Sequence, residues 1–346
     1  MNGKRSEEDE FACEVERRVA CYELPPANFD PLTASDELLE RYGVPPRPRS
    51  ADDPDLCKFW MDMFARPLRF VRPEFKIHVP ESIVARERRS PSRRRPSRRL
   101  RLEGSRNWSG ACLTPRFPAR FTRITGAWHV PSADVPAVAP PPPVPEGREF
   151  RSSTWVGFGG HRTHPGSSLP QAGTAQRVKE DGAGTTVYPW WQWWSNIDGG
   201  LPEVEIANIP TTVWDLMCVS LTAKADDLVQ FNVKNQTTGL FTAFLVRAPQ
   251  GSEPVGASAE WIMERPAEFG STWLYRLPHC SDVVFRGCTA QSRLSNGDGY
   301  QSHGLDHPQM IRMYEVFEGP HRKAYVSVPT LLTRSSLRIR YKEAMP

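Results

Sequence analysis

Four tryptophans crowd into five consecutive positions of Tyr188-Pro-Trp-Trp-Gln-Trp-Trp194. On a strand, alternate side chains leave on opposite faces. Trp191 and Trp193 then point one way, and Trp190, Gln192 and Trp194 the other. One face suits a sandwich core. Two such faces do not both fit one core, so the second is expected to line a cleft that holds an extended polymer, peptide or sugar. Proline occupies 34 of 346 positions and glycine 24, which disfavours a helical bundle and favours strands joined by turns. Val229, Phe231 and Val233 alternate with Gln230, Asn232 and Lys234 as in a half-buried strand. Asn235-Gln-Thr-Thr-Gly239 turns that strand into Leu240–Val246, and Leu337, Ile339 and Tyr341 mark a final strand. The pattern predicts an antiparallel sandwich or jelly-roll-like fold. Pro140–Pro143 belongs in a surface loop, because consecutive prolines cannot pair in a sheet.

The net charge of +4 is unevenly placed. Residues 1–85 hold 12 Lys/Arg against 17 Asp/Glu, residues 86–106 hold 10 Arg against two Glu, and residues 107–346 hold 22 against 21. The first segment reads as a mostly helical arm. Phe11, Val15 and Val19 recur at helical spacing, Ser35 precedes a short helix stopped by Gly43, and Leu56, Phe59, Trp60, Met63 and Phe64 form an apolar stripe capped by Asp53 and Pro54. A helix this short cannot bury its stripe alone and must dock. Arg88-Arg-Ser-Pro-Ser-Arg-Arg-Arg-Pro-Ser-Arg-Arg99 is self-repelling, so 86–106 is expected to be a disordered linker and a preferred point of nicking. It alone offers nucleic acid or an anionic surface a partner; the balanced charge of the remainder argues against nucleic acid. No apolar run reaches the ~18 residues of a membrane span. The first ten residues lack the apolar core of a signal peptide, which leaves the compartment open.

Seven cysteines lack metal-ligand spacing, and free thiols are expected, Cys280 and Cys288 being the one pair to consider for a bridge. His161 with His164, and His303 with His307, sit among loop residues without a third ligand, so no metal and no cofactor are expected. In Ala259-Glu-Trp-Ile-Met-Glu264, alternation sets Glu260 and Ile262 opposite Trp261 and Met263. If the latter enter the core, Glu260 stands on the other surface of a rigid strand, where a carboxylate can serve as a general base.

These residues resemble a family. Asn107-Trp-Ser-Gly-Ala-Cys-Leu113 is similar to the opening strand of the glutamic peptidases, or eqolisins. The similarity continues in order through Trp128-His-Val-Pro-Ser132, Thr154-Trp-Val-Gly157, Leu169-Pro-Gln-Ala-Gly173, Tyr188–Trp194, Asn235–Gly239 and Ala259-Glu-Trp-Ile262. The resemblance implies two seven-stranded antiparallel sheets in a jelly-roll or concanavalin-like sandwich over 107–346, with 1–85 in the place of a propeptide. It implies a metal-independent endopeptidase acting on polypeptide, with Gln171 and Glu260 as its catalytic pair. Trp108, Trp155, Trp191 and Gln192 are the candidate substrate-binding residues, and a monomer is expected.

Two family carboxylates are replaced, one by Gly159 and one by Gln192. A Glu with a pKa of about 4 stays a base in mild acid, and with fewer like charges nearby Glu260 is expected to ionise at lower pH than in a carboxylate-rich site, so that activity extends closer to neutrality. The alternative reading is a sandwich that has lost catalysis and binds peptide or carbohydrate.

Overall fold

A computed structural model of the chain describes residues 7–48, 53–78, 81–82, 101–116, 119–137, 149–161, 167–179, 181–182, 184–197, 200–252, 255–268, 274–293, 299–316 and 323–342. The run Arg88–Arg99, the Pro140–Pro143 segment and His164 lie outside these residues.

The chain is mostly β and its ladders are mainly antiparallel. One layer places the strand Thr185–Ser195 beside Ser168–Lys179, then Glu149–Phe158, Ala259–Glu264 and Trp108–Leu113. The other runs from Ser336–Tyr341 through Val283–Arg293, Phe121–His129, Leu216–Ala225 and Leu228–Asn235 to Leu240–Arg247. They are not two separate seven-stranded sheets. Nineteen strands among the described residues share one hydrogen-bonded sheet. The join runs through Gln309–Val316 and then Lys323–Thr333, which pairs with Ser336–Tyr341 of the other layer. The first residues of Gln309–Val316 pair with Gly110–Cys112, a register irregularity falls between Met313 and Tyr314, and its last residues pair with Lys323–Tyr325. A strand that changes layer at a bulge turns a corner without breaking the ladder.

The layers pack face to face. Trp191 meets Phe231 and Phe244 at ring-centroid distances of 5.7 and 5.6 Å. Two buried indoles bridge the layers: Trp128 Nε1 donates to Thr174 Oγ1 and Trp261 Nε1 to the Thr125 carbonyl. Cys280 and Cys288 are both buried free thiols.

The arm combines helices with short strands. Its helices are α1 (Glu7–Arg18), α2 (Asp36–Arg41) and α3 (Pro54–Phe64). The Ser35 and Asp53 side chains cap α2 and α3 as their spacing predicts. Val19 departs from its helical spacing: Val19–Cys21 is a strand on the edge of Leu240–Arg247. Arg69–Phe70 joins the same edge, and Phe75–Ile77 extends the other layer beyond Val204–Ile206. The expected linker is also shorter at its end, because Arg101–Ser105 runs parallel to Gln309–Met313 and enters the sheet six residues before Asn107.

The apolar stripe of α3 is buried, with Trp60, Met63 and Phe64 clustered against Cys218, Phe241 and Ala243. Beside it, the polar half of Leu228–Asn235 meets main-chain oxygens rather than water. Gln230 and Asn232 both donate to the Gly43 carbonyl, at 2.6 and 2.7 Å. Lys234 Nζ donates to the Met63 and Ala65 carbonyls, at 2.8 Å each, where α3 leaves them without helical partners. Burial pulls this ammonium down to about 8. Lys234→Ala removes both bonds and leaves a void. Urea unfolding is expected to show a loss of about 2–4 kcal/mol; an unchanged midpoint would mean that the lysine contributes nothing to holding α3.

Candidate active site

Gly157 lies in register with Gln171 on one neighbouring strand and with Glu260 on the other. The two polar residues therefore share a face two ladder spacings apart, about 10 Å between main chains. The same cross-strand row continues outward to Gln192 beyond Gln171, and to Cys112 and Gln309 beyond Glu260. A Cβ added to Gly157 would stand 3.0 Å from Gln171 Cβ and 2.9 Å from Leu169 Cδ1. The row admits no side chain at 157, and the glycine lets Gln171 and Leu169 pack over it.

Each is oriented from behind. Gln171 Nε2 donates to Gln192 Oε1 at 3.0 Å, and Gln192 Nε2 donates to the Leu201 carbonyl at 2.8 Å. Glu260 Oε1 accepts the His161 main-chain N–H at 3.0 Å and faces the Cys112 thiol at 3.9 Å. The other oxygens, Gln171 Oε1 and Glu260 Oε2, are buried and have no hydrogen-bond partner among the described residues.

Burial pushes the Glu260 carboxyl up to about 8, while hydrogen bonds from Ser258, His161, Cys112 and Gly160 act in the opposite direction. This overturns the expectation of a near-ordinary carboxyl. Loss of solvent outweighs the absence of neighbouring acids. The two departures are structural as well. Gly159 has φ +87°, and a Cβ there would stand 2.7 Å from the Ser168 carbonyl oxygen, so the position does not admit an acidic side chain without strain. Gln192 replaces a carboxylate with an amide that holds Gln171 through one hydrogen bond and the main chain through another.

Further along the strands, the next row on this face is Trp190, Gly173, Trp155 and Ile262, and the one after it is Tyr188, Ala175, Ser153, Glu264 and Trp108. Trp108 and Trp155 meet edge to face at 5.1 Å. The structure thus brings Trp108, Trp155 and Gln192 to the face of Gln171 and Glu260. It does not bring Trp191 there. That indole points into the core between the layers, against Phe75, Phe231 and Phe244, and Trp190 occupies the face instead.

Two buried carboxyls on this side were missed in the sequence. Glu264 accepts from Trp155 Nε1 at 2.8 Å and from Asn107 Nδ2 at 3.1 Å, and burial holds it well above the usual carboxylate range. Its spacing of four residues from Glu260 on one strand was the available signal. Glu203 accepts from Tyr188 Oη at 2.6 Å, and burial raises it to about 7. It precedes the three-residue strand Val204–Ile206, too short to show alternation. Above this end, the arm's His78 stacks on Tyr188 at 4.7 Å and pairs with Glu205 at 2.6 Å.

The fold is similar to solved structures at low sequence identity. Scytalido-glutamic peptidase with a peptide-based transition-state analogue matches at 20% identity with a TM-score of 0.50, over 68% of this chain and 98% of that one. The same peptidase with a transition-state analogue inhibitor gives a TM-score of 0.49 at the same identity and coverage. Aspergilloglutamic peptidase from Aspergillus niger gives 0.42 at 20% identity, over 56% of this chain and 99% of that one. Curated proteins give no match. The model of the Peptidase A4 family matches residues 106–316, more than half of the sequence, and spans the strands of Gln171 and Glu260. The chain belongs to the Peptidase A4 family.

Proposed function

We propose that the protein is a glutamic endopeptidase in which Glu260 is the general base and Gln171 stabilises the oxyanion. The observation that carries this reading is the pair of unpartnered oxygens, Gln171 Oε1 and Glu260 Oε2, on either side of Gly157. A water between them gives one hydrogen to each. When a peptide carbonyl enters, ionised Glu260 takes the proton of the water as its oxygen bonds to the carbonyl carbon. The second N–H of Gln171 Nε2, the first being held by Gln192, donates to the developing oxyanion. Protonated Glu260 then passes its proton to the amide nitrogen as the C–N bond breaks, which returns the carboxylate. Trp108 and Trp155 supply apolar surface for the extended substrate, and Gln192 acts through Gln171.

For this chemistry Glu260 must be ionised. Buried as it is, the carboxyl at about 8 is protonated across the acid range. Contact with water as substrate enters returns it toward the ordinary carboxylate range. Denatured casein incubated from pH 2 to 8 is the direct test. Glu260→Gln is expected to abolish cleavage, and Gln171→Ala to lower kcat by about 10²–10³, the usual cost of one oxyanion donor. Circular dichroism should show both variants folded. Near-normal turnover in either excludes the mechanism. Absence of cleavage in the wild type, together with saturable peptide binding, would establish the peptide-binding sandwich instead.

The buried carboxyls also set how stability varies with pH. Glu203 at about 7 lies above its unfolded value of 4.5, so the folded state binds the extra proton between these values. Its contribution is complete below about pH 4.5 and is lost as pH rises through 7. Glu203→Gln is expected to flatten the decline in unfolding free energy between pH 5 and 7, by on the order of 3 kcal/mol across the window. A decline as steep as in the wild type would remove Glu203 from this role.

A further inference from the structure

Where the arm leaves the outer face of its layer, a cavity of about 600 Å³ opens between the two. Asp53 comes from the arm, while Arg123, Thr222, Arg293 and Tyr300 come from the β-strand region. Thr222, Arg123 and Gln291 stand side by side in register on three strands. This is the outer face on which Gln230, Asn232 and Lys234 donate to arm carbonyls.

At the cavity buried donors from the strands and a buried acceptor from the arm are left unmatched, and Asp36 adds a second arm carboxylate to the lining. Arg123 is only 7% exposed, and its one hydrogen bond among the described residues is a long contact of 3.4 Å from Nη1 to the Pro46 carbonyl. Its Nε and the Thr222 hydroxyl are buried without a partner among the described residues. The other nearby cations are engaged. Arg47 donates to the carbonyls of Pro31, Leu32 and Ala34, and Lys224 pairs with both oxygens of Glu40. One acceptor is unused as well. Asp53, 6% exposed, caps α3 through Oδ1, and its Oδ2 has no partner among the described residues. A buried guanidinium N–H and a buried carboxylate oxygen left unmatched each cost about 1–3 kcal/mol or more.

We propose that this cavity binds a protonated oxyanion, namely a phosphate group. Phosphate oxygens accept from Arg123, Thr222 and Arg293, and a P–OH donates to Asp53 Oδ2. Sulfate has the same shape and acceptors but no proton to give near neutral pH, and meets Asp53 with like-charge repulsion. The cavity exceeds the volume of a phosphate ion, so an organic body esterified to the phosphate has room to extend toward exposed Tyr300. Bound phosphate bridges the arm and the strands. The assignment is independent of the peptidase reading.

Titration calorimetry of the full-length protein at pH 6 with inorganic phosphate and with sulfate tests it. Saturable one-site binding of phosphate is expected, with sulfate at least tenfold weaker. Arg123→Gln and Arg293→Gln are each expected to weaken phosphate binding about tenfold or more. Asp53→Asn retains a capping oxygen, so α3 persists, and it is expected to erase the preference for phosphate over sulfate. If Arg123→Gln fails to fold, exposed Arg293 and the Asp53 variant carry the test. Absence of saturable phosphate binding, equal affinity for sulfate in the wild type, or an unchanged preference in Asp53→Asn would each overturn the proposal.

Discussion

The candidate site depends on one residue that has no side chain. Gly157 is held in ladder register between Gln171 and Glu260, so their separation is set by main-chain hydrogen bonding across three strands. Side chains on adjacent strands of one row would touch, whereas side chains two strands apart are separated by whatever lies between them. Here Gly157 contributes no side chain, and Leu169 and Gln171 close to within about 3 Å of where its Cβ would stand. Because neither residue sits on a loop, the geometry is as rigid as the sheet. The supports behind each, Gln192 with Leu201 on one side and the His161 amide on the other, leave one buried oxygen of each without a partner among the described residues.

That rigidity is combined with burial on both faces of the layer. Trp261 and Met263 enter the main core, while Trp108, Trp155, Trp190 and Ile262 form a second apolar cluster around the polar row. Three carboxyls, Glu260, Glu264 and Glu203, are enclosed with them, and burial raises all three. They differ in what answers their oxygens. Glu264 receives an indole and an amide, Glu203 a phenol, and Glu260 keeps one oxygen unanswered. The unsatisfied oxygen marks the group suited to meet something from outside. Its basicity and its access to water are then a single variable, since burial is what raises its pKa.

Much of this was legible in the sequence, because strand parity is a strict rule. The division of Trp190, Gln192 and Trp194 from Trp191 and Trp193, and of Glu260 from Trp261, follows from a period of two. The order of the motifs placed Gln171 and Glu260 on neighbouring parts of one face. Parity, however, does not say which face meets which layer. Trp191 was therefore assigned to the cleft although it packs on Phe231 and Phe244. Burial was also invisible. Counting nearby acids led to a low pKa for Glu260, when the dominant factor is the removal of water by residues far away in sequence. Glu203 could not be found because it precedes a strand of only three residues, Val204–Ile206.

The same limit explains the arm. Alternation in Leu228–Asn235 correctly placed Gln230, Asn232 and Lys234 away from the core, and a polar row of this kind normally means solvent. Here it means the carbonyl oxygens of Gly43, Met63 and Ala65. Water and a main-chain carbonyl answer an amide or an ammonium equally well, so the pattern specifies the hydrogen-bonding character of the partner but not its identity. The apolar residues carry the missing information. Phe241 lies among α3 and arm side chains, 5.3 Å from Phe64 and 4.9 Å from Phe70. An outward phenylalanine on an otherwise polar face has no counterpart in water. With Cys218 and Ala243, which lie on the same face against α3, it distinguishes a sheet built to be covered from one built to be wet.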